Sequence, residues 1–539
     1  MNRPVRGQTF AVALLFIAMT IVMTWPQTAV LATHAREHYD VYFNMWRLGW
    51  VAHALATSPE RLFDGNIFYP EPRTLTYSDA MIVEGLVGAP LLLAGARPVL
   101  VHNLLLLGAI VSSGVGMFVL ARHLTGSAGA GVVAGVIFSF VPYRFEHYMH
   151  MEMQWIMWTP WAFWAFHRTL ETRRWMFGLL TGLFVSLQML SSIYYGVFLI
   201  VLLGVVAALM LIAMPLRQLP GAIARFVPAA VVVAVLCGAY ALPYLHTKKT
   251  VGGRAESEIM LFSARPSSYL VATPDNVVYG RAFASRGRPE RRLFPGMLAV
   301  ALAIVGLFLR PKASFATTIA YLLAMVLAYE LSLGLSGYSY RFLFDRVPLF
   351  QGFRALARLG IFVVFFLAVL AAFGYAALAS QRALSRRALL TLVVAILLLE
   401  YRVRPMALIR YPNEAPPLYA WLASQPRGVV AELPVPEHLP GTDPRISYLS
   451  TFHWQPIING YSGFAPQSYL DQVRALRNFP DEHAMTSLGR VGVRYVVVHL
   501  AEYDRDEAVL IQQALAHYRL RELGRFYDGA GDAAVYLLR

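Results

Sequence analysis

The stretch His34-Ala35-Arg36-Glu37-His38-Tyr39-Asp40 sets two carboxylates and two imidazoles just beyond the first long apolar run of the chain. A carboxylate where a membrane helix hands over to water is partly desolvated. Its pKa is then expected to rise, which suits general-base work. Asp40 is the candidate base and Glu37 its candidate companion. The plainer alternative is that Asp40 only caps the helix that follows, a favoured role for Asp. Phe43, Trp46, Trp50 and Leu55 recur at near-helical spacing, which predicts an amphipathic helix lying at the membrane interface over residues 41–55.

The second cluster is YRFEHYMHMEMQW, Tyr143 to Trp155, with Glu146, His147, His150 and Glu152. Glu146 and His150 stand four apart, and His147 and His150 three apart, so either pair can share a helix face and ligate a divalent metal such as Mg or Mn. Asp40, Glu146 and His150 are the metal candidates; His147, His150 and Glu152 are also candidates for contact with a sugar or acceptor. Hydrogen-bonded interfacial structure is the alternative. Arg254 and Arg265, with the run Arg286 to Arg292, lie in a loop over 246–294, and Arg341, Arg346, Arg354 and Arg358 precede a later apolar run. Arg254, Arg265, Arg354 and Arg358 are candidate phosphate ligands, because the guanidinium fork suits phosphate; solvated loop charges and interfacial anchors are the alternative. In YLSTFHWQPIINGYSGF (448–464), His453, Trp454, Asn459 and Tyr461 combine aromatic faces with amide and imidazole groups. That mixture can stack on and hydrogen-bond to a sugar, or else order a loop.

These residues must be positioned by a membrane scaffold. Of 539 residues, 57% are hydrophobic and only 14% charged, with a mean hydropathy of +0.52. Soluble chains carry roughly 25% charged residues. Apolar segments near the length a bilayer requires recur along the first three quarters, which predicts a polytopic α-helical membrane protein. The spans are expected at 9–31, 98–121, 127–143, 155–170, 176–191, 193–214, 226–245, 295–310, 314–334, 359–380 and 388–402, about 11 in all. The net charge of +15 then reflects cytoplasmic connectors and contact with anionic lipid or phosphate rather than nucleic acid. The one cysteine, Cys237, excludes a disulfide framework within the chain. The N-terminus reads as an uncleaved signal-anchor helix behind Arg3 and Arg6.

Residues 81–96 decide the topology. They are short, broken by Gly and Pro, and contain Glu84, as in a helix lying at the interface. If they do not span, the connectors bearing Arg122, Arg168, Arg173, Arg174, Arg217, Arg225, Arg310, Lys312, Arg382, Arg386 and Arg387 fall on the cytoplasmic side with the N-terminus. The long loops 32–97, 246–294 and 335–358 then face outward; if 81–96 spans, everything after it inverts and the charge count fits nearly as well, so the first topology is preferred because it puts all the short connectors inside and the long loops outside. From Pro405 the composition changes. Strands are predicted at 429–433, 493–500, 520–528 and 533–539, with a helix at 505–518. The expected organisation is a transmembrane part over 1–403 and an extracytoplasmic soluble α/β domain over 404–539.

Taken together, this plan of one helix, an outer loop with an acid soon after it, juxtamembrane amphipathic segments, a helical bundle and a tail resembles the GT-C superfamily of membrane glycosyltransferases. The resemblance implies an enzyme that moves a sugar from a polyprenyl-phosphate or polyprenyl-diphosphate donor to a glycan, lipid or protein acceptor at the outer face of a bacterial cytoplasmic membrane, with inversion expected. It also implies that the acid in "EHYD", Asp40, serves as catalytic base or metal ligand. Glu37 stands further from Asp40 than the members of a DxD pair stand from one another. The stretches 143–161, 350–362 and 453–466 resemble bacterial YfhO-like membrane proteins as well. The readings of other classes are a transporter or flippase for a lipid-linked glycan and a non-enzymatic accessory membrane protein. Largely uncharged span centres favour surface chemistry over the first of these.

Overall fold

The computed structural model describes residues 3–283, 287–309, 315–381, 385–435, 444–527 and 531–538. Arg286, Arg310, Lys312 and Arg382, and the side chains of Arg3 and Arg6, lie outside the described part. In chain order, α1 (Arg3–Met23) leads to a short strand β1 (His34–Arg36), then to α2 (Tyr39–Thr57), α3 (Ile82–Leu93), α4 (Pro98–Thr125) and α5 (Ala128–Phe140). Further helices run to Tyr401, and the strands β2 (Leu408–Arg410), β3 (Val429–Leu433), β4 (Val493–His499), β5 (Arg521–Tyr527) and β6 (Asp532–Leu537) lie in the tail.

Among the described residues, six helical segments are long and apolar enough to cross a membrane: Pro98–Thr125, Ala128–Glu146, Ile193–Ile212, Leu216–Val251, Phe315–Ser332 and Leu356–Ser380. The chain is a membrane-embedded helical protein, but length and apolarity do not bring the count to eleven. The first expected span, 9–31, is corrected: α1 ends at Met23. Pro26 has no N–H to continue the ladder and disfavours helical geometry at Trp25. The doubtful segment 81–96 holds the 12-residue helix α3. At 1.5 Å per residue, 12 residues rise about 18 Å, short of a hydrocarbon core of about 30 Å.

The chain divides into two compact units. The first comprises Met1–Ala29, Leu104–Ala241 and Gly252–Met406. Its central element is Gly360–Ser380, which is buried along most of its length and packs against Met297–Leu309, α5 and Phe315–Ser332. The approach of Met297–Leu309 depends on two glycines. A Cβ on Gly374 would collide with the Leu302 carbonyl, and one on Gly306 with the Leu370 carbonyl. Small residues at a helix crossing allow such backbone contact where no hydrophobic effect drives association. Phe163 and Tyr321 meet edge to face, each does the same with Phe366, and Phe365 lies tilted against Phe163.

The second unit comprises Val30–Asn103, Leu242–Val251 and Ala407–Arg539. Here β1 pairs antiparallel with β2, His34 opposite Arg410. The tail strands form a four-stranded sheet in the order β3-β4-β6-β5, with β3 and β4 parallel and the other pairs antiparallel. Each strand read from the sequence lies on one of these, within a residue or two at the described ends. Val496 and Val498 of β4, Leu433 of β3 and Leu488 and Leu515 of flanking helices fill the core beneath the sheet.

The expected interfacial helix over 41–55 is also corrected. α2 buries Phe43, Trp46 and Trp50 as foreseen, but also Val41, Asn44, Arg47, Leu48 and Val51. A helix lying on a membrane keeps one broad face polar and exposed. α2 does not, because α3 and the helix Pro444–Leu449 pack on it.

Candidate active site

Asp40 stands in the first turn of α2, one residue inside its start. The N-cap is His38, whose ring Nδ1 accepts the Asp40 backbone N–H at 3.1 Å. The alternative that Asp40 itself caps the helix is therefore corrected; the carboxylate makes other contacts. A carboxylate in a first helical turn also faces the positive end of the helix dipole. Asp40 Oδ1 accepts a hydrogen bond from the Tyr461 hydroxyl at 2.7 Å, and Oδ2 lies 3.4 Å from His38 Nδ1. The Asp40 side chain keeps 17% of its surface exposed.

The support around this acid is layered. The Tyr461 ring meets Phe43 edge-on at 5.1 Å, and Phe43 stacks on Trp46 at 5.6 Å. The Trp46 indole N–H donates to Asn66 Oδ1 at 3.0 Å, and the Asn66 amide donates to Ser450 Oγ and the Gln455 carbonyl, each at 3.0 Å. Tyr411, just past β2, donates to the Arg36 carbonyl at 2.8 Å and fixes the turn that delivers Asp40. Arg47, two helical turns beyond Asp40, is buried; it donates to the Asp79 carbonyl at 2.8 Å and to Asn44 Oδ1, and lies 4.5 Å from the Phe43 ring. Arg47, Asn66 and Tyr411 were missed from the sequence. Only a buried cation seven positions after the acid on the same helix could have signalled the first of them.

Of the four tail residues singled out, Tyr461 reaches Asp40 and Asn459 positions it. The Asn459 amide donates to the Glu432 carbonyl at 2.8 Å, and its Oδ1 accepts the Glu432 N–H at 2.9 Å. One side chain thereby ties the Ile457–Tyr461 segment to β3. His453 is core: it is buried, stacks on Tyr419 at 6.0 Å, and accepts the Gln455 N–H at 2.9 Å. Burial pushes its pKa down to about 4, with Glu432 opposing. Trp454 has a left-handed backbone, φ 53°, and its ring stacks on His53 at 4.2 Å. Glu37 is exposed, and its backbone N–H binds the Ala407 carbonyl at 3.0 Å.

In the other unit, the residues of 143–155 fold back on themselves. Arg144 donates to Gln154 Oε1 at 3.0 Å and to its carbonyl at 2.7 Å, and the Gln154 amide donates to the Arg144 and His147 carbonyls. Glu146 accepts from Arg292 at 2.6 Å. The His147 ring lies 4.6 Å from that of Tyr143 and 5.3 Å from that of His150. Glu152 is buried. The expected metal set does not fit. Glu146 is held by Arg292, Asp40 belongs to the other unit, and no group of three or more His, Cys, Asp or Glu side chains gathers as metal ligands among the described residues.

The four candidate phosphate arginines separate into three kinds. Arg254 and Arg354 share one carboxylate, Glu258, at 3.4 and 3.1 Å. Arg358 is paired with Glu290 at 3.2 Å. Arg265 is exposed. Burial pushes against ionisation of Glu290, yet the Arg358 guanidinium outweighs it and holds the carboxyl well below the usual range. Burial pushes His147 down to about 3, so its 3.5 Å approach to Glu290 is that of a neutral imidazole.

No family model and no curated protein sequence matches the chain, so the YfhO-like resemblance gains no support. Solved structures do match. The arabinofuranosyltransferase AftD from mycobacteria aligns over 100% of this chain and 42% of its own, at 15% identity and a TM-score of 0.64. A second class of the same protein aligns at 16% identity and 0.59, over 100% of this chain and 41% of its own. ArnT from Cupriavidus metallidurans aligns over 98% of both chains at 13% identity, but at a TM-score of 0.48 it is too distant to carry weight. The chain spans less than half the length of AftD. At these identities the likeness concerns the path of the backbone: this chain shares the fold of the matched part of AftD.

Proposed function

We propose that the protein transfers a sugar from a polyprenyl-phosphate-linked donor to a glycan, lipid or protein acceptor at the outer face of a bacterial cytoplasmic membrane. The observation that carries this reading is the Asp40 carboxylate, partly exposed, in the first turn of α2 and hydrogen-bonded to Tyr461 at 2.7 Å. Asp40 is the general base. It takes the proton of an acceptor hydroxyl while that oxygen forms a bond to the anomeric carbon. The bond from that carbon to the phosphate oxygen breaks, and the lipid phosphate departs with the electron pair. Attack opposite the leaving group inverts the anomeric centre. Tyr461 holds the carboxylate in place.

Within the first unit, Arg254 and Arg354 are the arginines proposed for phosphate. Two guanidinium groups sharing one carboxylate retain a net positive charge, whereas Arg358 is neutralised by Glu290. Glu37 stays outside this mechanism. The brevity of α3 supports the topology in which the basic connectors face the cytoplasm and the tail lies outside.

The test is mass spectrometry of envelope glycans and glycolipids from cells with the gene deleted, restored, and restored as Asp40→Asn. The expected result is a defined sugar absent from the deletion and from Asp40→Asn, with a polyprenyl-phosphate sugar accumulating. Full rescue by Asp40→Asn would overturn the assignment.

A further inference from the structure

In the first unit, the helix Tyr338–Arg346 lies in the connection between Phe315–Ser332 and Leu356–Ser380. Both of those are long and apolar enough to cross a membrane, and they pack against each other. Consecutive spans cross in opposite senses, so the residues that join them lie at one membrane face. From Ser332 to Tyr338 the chain reaches about 20 Å at most, and the turn Gly334–Ser336 shortens that reach. The helix therefore starts close to the end of a span. One side of it is held to the protein: Tyr340 is buried and donates its hydroxyl to the Phe350 carbonyl at 2.7 Å. The other side is bare. Tyr338 is 92% exposed and Phe342 60%, and standing four apart they share a face. Arg346 continues that stripe, its guanidinium 5.3 Å from the centre of the Phe342 ring. The exposed apolar residues Val347 and Leu349 follow directly. Single apolar residues are ordinary on a protein surface, whereas a run of them marks a surface that meets something.

We propose that this helix docks on the headgroup layer of the bilayer, with Tyr338 and Phe342 at the acyl boundary and Arg346 on the phosphate of an anionic lipid. Charge supports the choice of occupant. Arg341 meets Asp345 at 3.0 Å and Glu256 at 3.2 Å, and so takes both carboxylates at hand. Arg346 is exposed and has no ion-pair partner among the described residues; it keeps only the Phe342 ring. Aromatic rings with a polar edge concentrate where acyl chains give way to headgroups. A short amphipathic helix buries its apolar face at that boundary and gains further from basic side chains near anionic lipid. Water alone would leave both rings and the cation unmatched. The bilayer supplies an apolar layer and an anion together, at the membrane face where the helix begins. This placement stands apart from the glycosyl-transfer reading, since it concerns how the chain meets its membrane.

The test places a nitroxide at position 342 of the full chain in lipid nanodiscs, as Phe342→Cys in a Cys237→Ser background. Collisions of the label with oxygen, which concentrates among acyl chains, are compared with collisions with a water-soluble nickel complex. The free label in buffer is the reference. In discs of zwitterionic lipid the ratio is expected to shift toward oxygen, and to shift further when phosphatidylglycerol is added. Arg346→Gln is expected to abolish the second shift and to leave the first. A label as open to nickel as the free one would put the helix in water and overturn the docking. A label screened from both reagents would show the face covered by protein, a second copy of the chain included, and would overturn it equally. A missing phosphatidylglycerol shift, or one that Arg346→Gln leaves intact, would overturn the assignment of Arg346 to lipid phosphate. Phe342 and Arg346 are exposed, so their variants are expected to melt with the wild type; if Cys237→Ser lowers the melting temperature, Cys237→Ala takes its place. Depth is read without turnover, so a chain that transfers no sugar still answers the question.

Discussion

The Tyr461 hydroxyl donates to Asp40 Oδ1 at 2.7 Å, joining residues 421 positions apart in the chain. The tail therefore supplies a direct partner to the acid in the first turn of α2. Replacing Tyr461 by Phe keeps the ring against Phe43 and removes only the hydroxyl. The expected outcome is a kcat lowered roughly tenfold with KM unchanged, because the bond orients the base rather than the substrate. Steady-state kinetics with a synthetic lipid-phosphate sugar check it; an unaltered kcat would show that the contact is incidental.

Asp40→Asn preserves the shape of the side chain and removes its basicity. Transfer is expected to fall by about 10²–10⁴-fold, the usual contribution of a general base, while the melting temperature of the purified protein stays within a degree or two. A variant that loses stability to the same extent as activity would make Asp40 a structural residue.

Asn459→Ala leaves the N–H and carbonyl of Glu432, both buried, without their partners. Each such group costs about 1–3 kcal/mol. Thermal unfolding is expected to shift downward by several degrees, and activity to fall with it because Tyr461 is no longer held to β3.

The arginines separate by their partners. Arg354→Gln removes one of two cations on Glu258 and is expected to raise KM for the donor roughly tenfold with a well-folded protein. Arg358→Gln strands Glu290 as a buried charge and is expected to destabilise the fold by about 3–5 kcal/mol. Melting curves and donor titrations of the two variants, side by side, distinguish these outcomes.

The pKa of His453 is pushed down by burial from 6.5 to about 4. Above pH 6.5 it is neutral in both folded and unfolded chains and costs nothing. Between pH 6.5 and 4 the unfolded chain binds a proton that the folded one refuses, so stability falls as pH falls, by on the order of 3 kcal/mol in total. His453→Gln is expected to flatten that part of the pH–Tm curve; an identical slope in the variant would assign the acid sensitivity elsewhere.

Local physics made much of this protein legible from its sequence. Runs of apolar residues too long for anything but a buried or membrane helix marked the spans, because each backbone group in lipid must be bonded within its own segment. Short runs rich in β-branched and aromatic residues marked β3 and β4 to the residue at their starts. Asp40 could be singled out because its position relative to the first apolar helix is a property of a few neighbouring residues. What tertiary structure alone decided depends on contacts without a sequence period. The pairing of β1 with β2 joins His34 to Arg410. The burial of α2 on nearly every side follows from α3 and Pro444–Leu449 packing on it. The carboxylate each arginine meets is set the same way: Glu290 neutralises Arg358 and Glu258 is shared by Arg254 and Arg354, approaches that no spacing in the chain records. A sequence states which side chains are able to pair, and only the fold states which of them are close enough to do so.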